Sequence, residues 1–418
     1  MTPPLLATHH DALDAWIDAH FDEQVAFLQA LVQVPTDTPP GNNAPHALRT
    51  AELLADFGYV AESHPVPIER VRDAGLQSIV NLVVRRRFGP GGQTIGLNAH
   101  GDVVPPGEGW SHDPYGGEVV DGKLYGRAAA VSKSDFATYT FAARAVESLR
   151  AAMSAPLRGA VELYFTYDEE FGGELGPGWL LDERIVKPDL LLAAGFSHEV
   201  VNAHNGCLQL EVTVHGTAGH AAIPHTAVDA LHATTQLLVA LYRENQLNQL
   251  LKSGFAGIGS PYLNIGTIQG GSNTNVVPGK VVLKLDRRMI PEEDPTEVEA
   301  HLHEVIQGTL APLPGIRVEI RRLLLARAMR PLPAGAPLVE SLCRHASTVF
   351  GEPVATSATP LYTDARLFAE RGIPAAIYGA GPRTVLESNA KRADEHLCLS
   401  DLKGATRVVA RTLLDLLA

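Results

Sequence analysis

Cysteine is scarce in this sequence of 418 residues, which contains only Cys207, Cys343 and Cys398. Three cysteines without short spacings exclude a disulfide framework and a cysteine-based zinc finger, and they favour a reducing compartment. The first residues contain no basic region followed by an apolar run, and no segment has the apolar length of a membrane span. These absences predict a cytoplasmic protein without a secretory signal or a membrane partner.

Positive charge is also in short supply, because 34 Lys and Arg residues face 47 Asp and Glu residues and the net charge is −13. Nucleic-acid partners and anionic membrane surfaces are therefore excluded, since both require clustered basic residues. Apolar residues make up 45% of the chain, which excludes a disordered protein. A chain of this length exceeds one ordinary core, so two domains are expected.

The order of apolar patterns divides the chain into two kinds of domain. Before Gly206, apolar and β-branched stretches alternate with helical patterns, which predicts an α/β domain with a mostly parallel sheet. From Gly206 the predicted order is strand, helix, strand, strand, helix, strand, which is typical of a ferredoxin-like α+β fold. We therefore predict a discontinuous catalytic domain at 1–205 and 326–418, and an inserted domain at 206–325.

Polar residues follow two of the predicted strands at the point where each strand ends. His100 and Asp102 follow one strand, and Glu169 and Glu170 follow another. Because ligands of open α/β sheets gather beyond the carboxyl ends of strands, this placement indicates a site. The pair of His100 and Asp102 suits a metal ligand with its orienting carboxylate, and the two glutamates suit one base and one ligand. The alternative is a set of ordinary loop carboxylates with a capping aspartate.

These residues belong to motifs that resemble the zinc aminoacylase and carboxypeptidase family, which includes acetylornithine deacetylase, succinyl-diaminopimelate desuccinylase and glutamate carboxypeptidase. The matching segments occur in order along the chain: Asn-Ala-His-Gly-Asp-Val-Val-Pro at 98–105, Asp-Gly-Lys-Leu-Tyr-Gly-Arg at 121–127, Asp-Glu-Glu at 168–170, Gly-Thr-Ala-Gly-His at 216–220, Gly-Gly-Ser-Asn-Thr-Asn at 270–275, Leu-Asp-Arg-Arg at 285–288 and Thr-Asp-Ala at 363–365. The resemblance implies a phosphorylase/hydrolase-like zinc-peptidase domain with an inserted lid that mediates homodimer formation.

The resemblance also implies roles for individual residues of the larger domain. His100 matches a zinc ligand, and Asp102 matches the carboxylate that orients it. Glu169 matches the general base that activates water, and Glu170 matches a ligand of the other zinc.

In the lid, His220 matches the histidine that enters the site of a neighbouring subunit and stabilises the tetrahedral oxyanion. Asn275 and Arg288 match groups that hold the substrate. The lid would therefore supply part of the site of a second copy.

Three ligand positions of the family pattern lack a ligand in this sequence. The position of the bridging aspartate holds Val131, and the acid after the strand at 190–193 is replaced by Ala194 or Phe196, depending on the alignment. Lys391 stands where a histidine ligand belongs. One zinc would keep only His100 and the other only Glu170, whereas zinc sites have at least three protein ligands.

The loss of ligands predicts at most one zinc, and the site could equally hold none. A single rearranged zinc would need substitute ligands from residues near the vacant positions, namely Asp135, His198, His204 and His396.

The sequence thus predicts an amidohydrolase that acts on N-acyl amino acids, dipeptides or related small carboxylates, with Glu169, His220 and Lys391 as catalytic groups. One alternative is a metal-independent isomerase, lyase or decarboxylase with Glu169 as the base. In that alternative Lys391 acts as a cation, or as a Schiff base if its pKa is depressed. A second alternative is an inactive protein that only binds the ligand.

Overall fold

The computed structural model describes residues 4–151, 153, 156–384 and 386–418. It contains two compact units, which we call unit 1 and unit 2. Unit 1 comprises Met1–Asn202, Pro331–Ser357 and Thr363–Ala418, and unit 2 comprises Ala203–Arg330 and Ala358–Tyr362. The inserted domain predicted at 206–325 lies within unit 2, which also includes the short segment Ala358–Tyr362.

The helices and strands alternate over most of the chain. The helices are α1 Pro4–Ala19, α2 Phe21–Val32, α3 Ala44–Asp56, α4 Ile68–Asp73, α5 Lys133–Leu149, α6 Pro177–Asp182, α7 Ala230–Asn248, α8 Pro295–Leu310, α9 Ala336–Phe350, α10 Ala365–Ala369 and α11 Leu399–Leu417. The strands are β1 Ala61–Pro65, β2 Val80–Gly89, β3 Thr94–His100, β4 Val119–Val120, β5 Lys123–Tyr125, β6 Gly159–Thr166, β7 Leu190–Ala193, β8 Val200–His204, β9 Gly206–His215, β10 Gly219–His220, β11 Tyr262–Gly270, β12 Val276–Val277, β13 Lys280–Met289, β14 Arg317–Ala326, β15 Thr356–Thr359, β16 Ala375–Ile377 and β17 His396–Cys398.

The main sheet has the strand order β1-β2-β6-β3-β7-β16-β8-β15. The four central strands β6, β3, β7 and β16 are parallel, whereas β1, β2 and β8 pair antiparallel. Parallel strands are covered on both faces, which explains why β7 consists of Leu and Ala residues that are all buried. The predicted mostly parallel α/β sheet is confirmed, and β3, β6 and β7 end at the same edge.

Helix α5 packs against this sheet and is buried on almost every side. Its aromatic residues Phe136, Tyr139 and Phe141 are at most 1% exposed, and it contacts β3, β6, α1, α2 and α11. The buried hydroxyl of Thr138 has a partner within the helix, because its Oγ1 donates to the carbonyl of Ser134 at 3.0 Å. Burial of each aromatic ring stabilises unit 1 by roughly 1.5–3 kcal/mol, which fixes the start of α5 beside the end of β3.

Unit 2 has the predicted ferredoxin-like order of elements. Its four-stranded sheet has the order β11-β13-β9-β14, and all neighbouring strands are antiparallel. The alternating residues of β9 that face inward, among them Leu210 and Val212, form a core with α7 and α8. The side chains of Asp229 and Asp294 cap these two helices by accepting backbone N–H groups of their first turns.

None of the helices in the described part of the chain combines the length and the apolar character needed to cross a membrane.

Candidate active site

Asp102 joins the ends of two central strands. Its two carboxylate oxygens accept hydrogen bonds from the backbone N–H of Glu169, at 3.2 Å, and of Glu170, at 3.0 Å. The glutamates lie in a single 3₁₀ turn just after β6, and Asp102 follows β3 and is fully buried. The structure therefore brings the predicted carboxylates to one place, and Asp102 positions the other two.

His100, the last residue of β3, lies between Asp102 and Glu169. Its Nδ1 is 3.0 Å from the carbonyl oxygen of Asp102 and 3.4 Å from Oδ1, and its Nε2 is 4.0 Å from Oε2 of Glu169. Burial opposes a charge on this ring, but Glu169 and Asp102 raise the pKa of His100 to about 10. The two carboxylates therefore favour the protonated, cationic form of the ring.

For Glu169 the shift favours the neutral form, because its carboxyl group lies in a poorly solvated place. Burial raises the pKa of Glu169 to about 7, although the positive charges of His100 and Lys391 oppose this shift. A carboxylate with a pKa near neutrality is able both to accept and to release a proton, as a general base requires.

Ser132 connects the end of β3 to the start of α5. Its Oγ donates to the carbonyl of His100 at 2.9 Å and accepts the N–H of His100 at 3.1 Å. The preceding residue, Val131, is therefore close to His100, as expected for the position of the bridging aspartate. Its isopropyl group has no atom that binds a metal.

Lys391 forms a short ion pair with Glu170. The Nζ of Lys391 lies 2.6 Å from Oε2 of Glu170, whose side chain is 10% exposed, while the lysine is about half exposed. Burial opposes the lysine charge, but Glu170 raises the pKa of Lys391 above its ordinary value. The Schiff-base role of Lys391 requires a depressed pKa and is therefore contradicted. The amine lies next to a carboxylate and not in an apolar pocket.

The backbone of Lys391 adopts a left-handed conformation with φ of 62°. Such a conformation costs free energy for any residue with a β-carbon, so the surrounding contacts must maintain it. The N–H of Lys391 donates to Oε2 of Glu395 at 3.3 Å, and Oε1 of Glu395 accepts the N–H of Ala130 at 3.3 Å. Glu395 thereby holds the lysine segment against the segment that contains Val131.

Glu395 is itself paired with Arg127 in the interior. Nη1 of Arg127 lies 2.6 Å from Oε2 of Glu395, and the two side chains are 1% and 2% exposed. Burial raises the pKa of Glu395, while Arg127 opposes that shift. Sequence patterns gave no role to this pair, although Arg127 lies within the Gly-Arg motif.

The residues after β7 also lack a ligand atom. Asn98 of β3 is paired with Ala193 of β7, and the N–H of Ala194 donates to the carbonyl of Asn98 at 2.9 Å. Ala194 thus lies next to the strand that ends at His100, whereas Phe196 is bridged to Gly381. Neither side chain is able to bind zinc.

The residues considered as substitute ligands have other partners. Asp135 accepts the N–H groups of Ala380, at 2.7 Å, and of Gly195, at 3.2 Å. His198 lies between Glu352 and Asp401, at 3.0 and 3.3 Å.

Nδ1 of His396 bonds to the carbonyl of Asp394 at 3.0 Å. His204 belongs to unit 2, where its Nδ1 bonds to the carbonyl of Asn205 at 2.8 Å. These contacts give all four residues structural roles.

Among the described residues, one group of three side chains has potential metal-ligand atoms within 4.8 Å of one another, namely His10, His345 and Asp415. That group involves α1, α9 and α11 and contains none of the site residues. Of the ligands that the family resemblance predicts around Glu169, one imidazole and two glutamates remain, and Lys391 is paired with one of the glutamates. These residues do not fit a pair of zinc ions, because each ion would lack the three protein ligands that zinc sites use.

Two buried aspartates of the site had no predicted role. Burial, together with the charges of Glu169 and Asp168, raises the pKa of Asp364 well above its ordinary value. Asp168 accepts the N–H of Leu175 at 2.5 Å and so closes the loop that follows the glutamates. The Thr-Asp-Ala motif was a signal for Asp364, since it places an acid at the start of the short helix α10.

The predicted lid residues lie in unit 2. His220 is exposed, and β10 and β12 bring it beside Asn275, whose carbonyl accepts the N–H of Ala221 at 3.0 Å. Arg288 donates from Nε to Asp286 at 2.7 Å, and its guanidinium lies 5.7 Å from the ring centre of Tyr362. The roles of these residues toward a substrate remain predictions.

Comparison with known proteins decides the family. The sequence profile described as Peptidase family M20/M25/M40 matches residues 96–415, which is most of the chain. The chain belongs to this family. It is thus a hydrolase of the aminoacylase and carboxypeptidase type, and the predicted resemblance is confirmed.

Individual relatives match over most of this chain. The succinyl-diaminopimelate desuccinylase of Rhodospirillum rubrum is 29% identical over 94% of this chain and 97% of its own. The protein of the same name from Gluconobacter oxydans is 30% identical over 71% of this chain and 75% of its own.

Solved structures share the fold. The M20 metallo-carboxypeptidase Sso-CP2 of Sulfolobus solfataricus has a TM-score of 0.74 and 18% identity, and the match covers 94% of this chain and 98% of its own. The YXEP protein of Bacillus subtilis, described as a dinuclear metal binding peptidase, has a TM-score of 0.69 and 15% identity, with 96% and 99% covered.

Proposed function

We propose that this M20 member hydrolyses the amide bond of small substrates that resemble amino acids, namely N-acyl amino acids, dipeptides or related carboxylates. The observation that carries the proposal is the position of Glu169. Its backbone is fixed by Asp102 at the edge where β3 and β6 end, and its carboxylate lies beside the cationic ring of His100. A base held at a strand end next to a positive charge suits the activation of water.

In the proposed reaction Glu169 accepts a proton from a water molecule as the oxygen of that water attacks the amide carbon. The same carboxyl group then releases the proton to the amide nitrogen, so that the C–N bond breaks and a neutral amine leaves. Negative charge develops on the carbonyl oxygen during attack, and we propose that Lys391 and His220 stabilise it. Asn275 and Arg288 would hold the carboxylate of the substrate.

The names of the relatives guide the choice of substrates. Several relatives are named succinyl-diaminopimelate desuccinylase, so N-succinyl diamino acids are the first compounds to test. Their amide bond and free carboxylates match the groups that this site contains. The family match favours hydrolysis over the isomerase, lyase or decarboxylase alternative.

The test is the release of free amine from a panel of N-succinyl amino acids, N-acetyl amino acids and dipeptides, measured with an amine-reactive fluorophore. Glu169→Gln should lower kcat by about 10²–10⁴-fold, since it removes a general base without a change in size. Glu108→Gln, at an exposed glutamate of unit 1, is the matched control and should keep full activity. Equal turnover by Glu169→Gln and Glu108→Gln, on a substrate that the wild type cleaves, would remove Glu169 from the reaction.

We also propose that unit 2 mediates a homodimer. Helix α7 exposes Leu231, Val239 and Tyr242 by 42%, 53% and 55%, and β11, at the edge of the unit 2 sheet, exposes Tyr262 and Ile268 by 47% and 48%. An apolar helix face next to a sheet edge suits a second copy of the same surface. His220 would then act in the site of the partner.

A further inference from the structure

The ion pair between Lys391 and Glu170 engages the carboxylate that the family resemblance identifies as a metal ligand. Glu170 matches a carboxylate that binds zinc, and in this chain an ammonium group lies 2.6 Å from its Oε2. The side chain of Glu170 is 10% exposed, so the charge of Lys391 is its close counterion in a poorly solvated place.

The lysine is held in this position by more than its own charge. Its left-handed backbone, with φ of 62°, is maintained through Glu395, which accepts the N–H groups of both Lys391 and Ala130. Arg127 in turn anchors Glu395 at 2.6 Å. A solvent-exposed lysine that merely drifted toward a glutamate would not need this support.

The other vacant ligand positions also make the site less negative than the family pattern does. Val131 stands in place of one acid, and Ala194 or Phe196 stands in place of another, so the site has fewer negative charges for a metal ion to balance. The ammonium of Lys391 faces one of the two glutamates, at 2.6 Å.

We propose that the Lys391 ammonium takes the place of a metal ion beside Glu170, so that the resting protein holds its site together with a built-in cation and without zinc. A divalent ion could bind Glu170 only after it displaced an ammonium that is already hydrogen-bonded to the same oxygen. The two positive charges would then repel each other across the site.

This inference rests on the proposed function for the meaning of the site, but its test does not require turnover. Metal content is measured on the resting protein, so the inference fails or stands independently of whether amides are hydrolysed.

The first measurement is the zinc content of the full-length wild type by elemental mass spectrometry, after dialysis against a chelator, loading with zinc chloride and desalting. We expect the wild type to retain no more zinc than Glu170→Gln does, because the residues around Glu170 do not supply the three protein ligands of a zinc site, whereas any zinc at His10, His345 and Asp415 would be present in both proteins. Retention of about one zinc per chain, together with its loss in Glu170→Gln, would overturn the inference.

The second measurement rebuilds the metal site. The double substitution Val131→Asp with Lys391→His would supply two ligands next to Glu170 and so complete a set of three. We expect this variant to retain about one zinc per chain and to bind zinc at least about 100-fold more tightly than the wild type, by competition with a chromophoric chelator.

The matched control is Val131→Asp with Arg392→His, which introduces the same two residue types but places the imidazole at an exposed neighbouring position and keeps Lys391. It should resemble the wild type in zinc content. Equal zinc binding by the two double variants, or none by either when both are folded by circular dichroism, would overturn the placement of Lys391 at a metal position. If the rebuilt variant does not fold, the wild-type measurement still decides whether zinc is held.

Discussion

The buried pair of Arg127 and Glu395 should contribute more to the stability of unit 1 than other ion pairs of the chain. The two side chains are 1% and 2% exposed, so Glu395→Gln would leave the guanidinium without its counterion in a poorly solvated interior. Breaking one partner of a buried pair costs about 3–5 kcal/mol. Arg127 keeps a hydrogen bond to the carbonyl of Pro106, at 2.9 Å, which favours the lower end of that range.

Thermal unfolding followed by calorimetry measures this effect. A free-energy change of 1 kcal/mol corresponds to roughly 2–4 °C for a domain of 150–250 residues, and unit 1 is larger, so the lower value applies. Glu395→Gln should therefore lower the unfolding temperature by about 6 °C. The double variant Arg127→Met with Glu395→Gln removes both charges. It should lose less stability than the sum of the two single variants, with a coupling free energy of roughly 1–3 kcal/mol.

The control is Glu62→Gln, which breaks a pair with Arg85 whose side chains are 36% and 43% exposed. Exposed pairs contribute about 0–1 kcal/mol, so this variant should shift the unfolding temperature by at most a few degrees. Equal shifts for Glu395→Gln and Glu62→Gln would refute the prediction that the buried pair of Arg127 and Glu395 contributes more to stability than the exposed pair does.

Three further predictions concern stability and assembly. The carboxylate of Asp415 accepts hydrogen bonds from His10 and His345, at 2.9 and 2.7 Å, and its pKa is held far below its ordinary value although burial opposes this. Asp415→Asn should therefore cost about 2 kcal/mol in urea unfolding at pH 7 and keep most of that cost near pH 3, because stability from a depressed pKa is lost only as the pH falls from the unfolded pKa toward the much lower folded pKa; a cost that has disappeared by pH 4 would contradict this. The pKa of His198 is raised by Asp401 and Glu352 although burial opposes the charge, so His198→Gln should destabilise most below about pH 6.5 and least above the raised pKa, where the charge is lost in the wild type too; a constant difference between pH 5.5 and pH 9 would speak against the charged ring. Tyr242→Glu on α7 should convert the proposed dimer into monomers in analytical ultracentrifugation, and a variant that sediments like the wild type would exclude this surface.

The fold was predictable because its signals are local and repeated. The Leu-rich run of β7 and the alternation along β9 identified strands directly, and the order of elements after Gly206 identified the ferredoxin-like fold. Apolar residues recur at helical spacing from Asp11 to Leu31, which favours one helix, but the structure has two helices here, α1 and α2. The break lies at His20, whose ring bonds to the carbonyl of Trp16 and stacks on its indole at 3.9 Å.

The site was predictable only in part. Strand ends and motif spacing brought His100 and the glutamates together, since parallel strands deliver their ends to the same edge. The ion pair of Lys391 with Glu170 joins residues 221 positions apart, and no local pattern specifies such a contact. Asp364 was also missed, because the burial that raises its pKa is a property of the folded interior.

The two hydrogen bonds at Asp102 have a consequence for any attempt to redesign this enzyme. Both neighbouring N–H groups are bound by a single carboxyl group, one to each oxygen, so a substitution at residue 102 would remove a hydrogen-bond acceptor from Glu169 and from Glu170 at once. Glu169 therefore cannot be re-aimed at a new substrate by changes at residue 102 without disturbing the lysine. A designer who wants independent control should vary the loop beyond Phe171 instead.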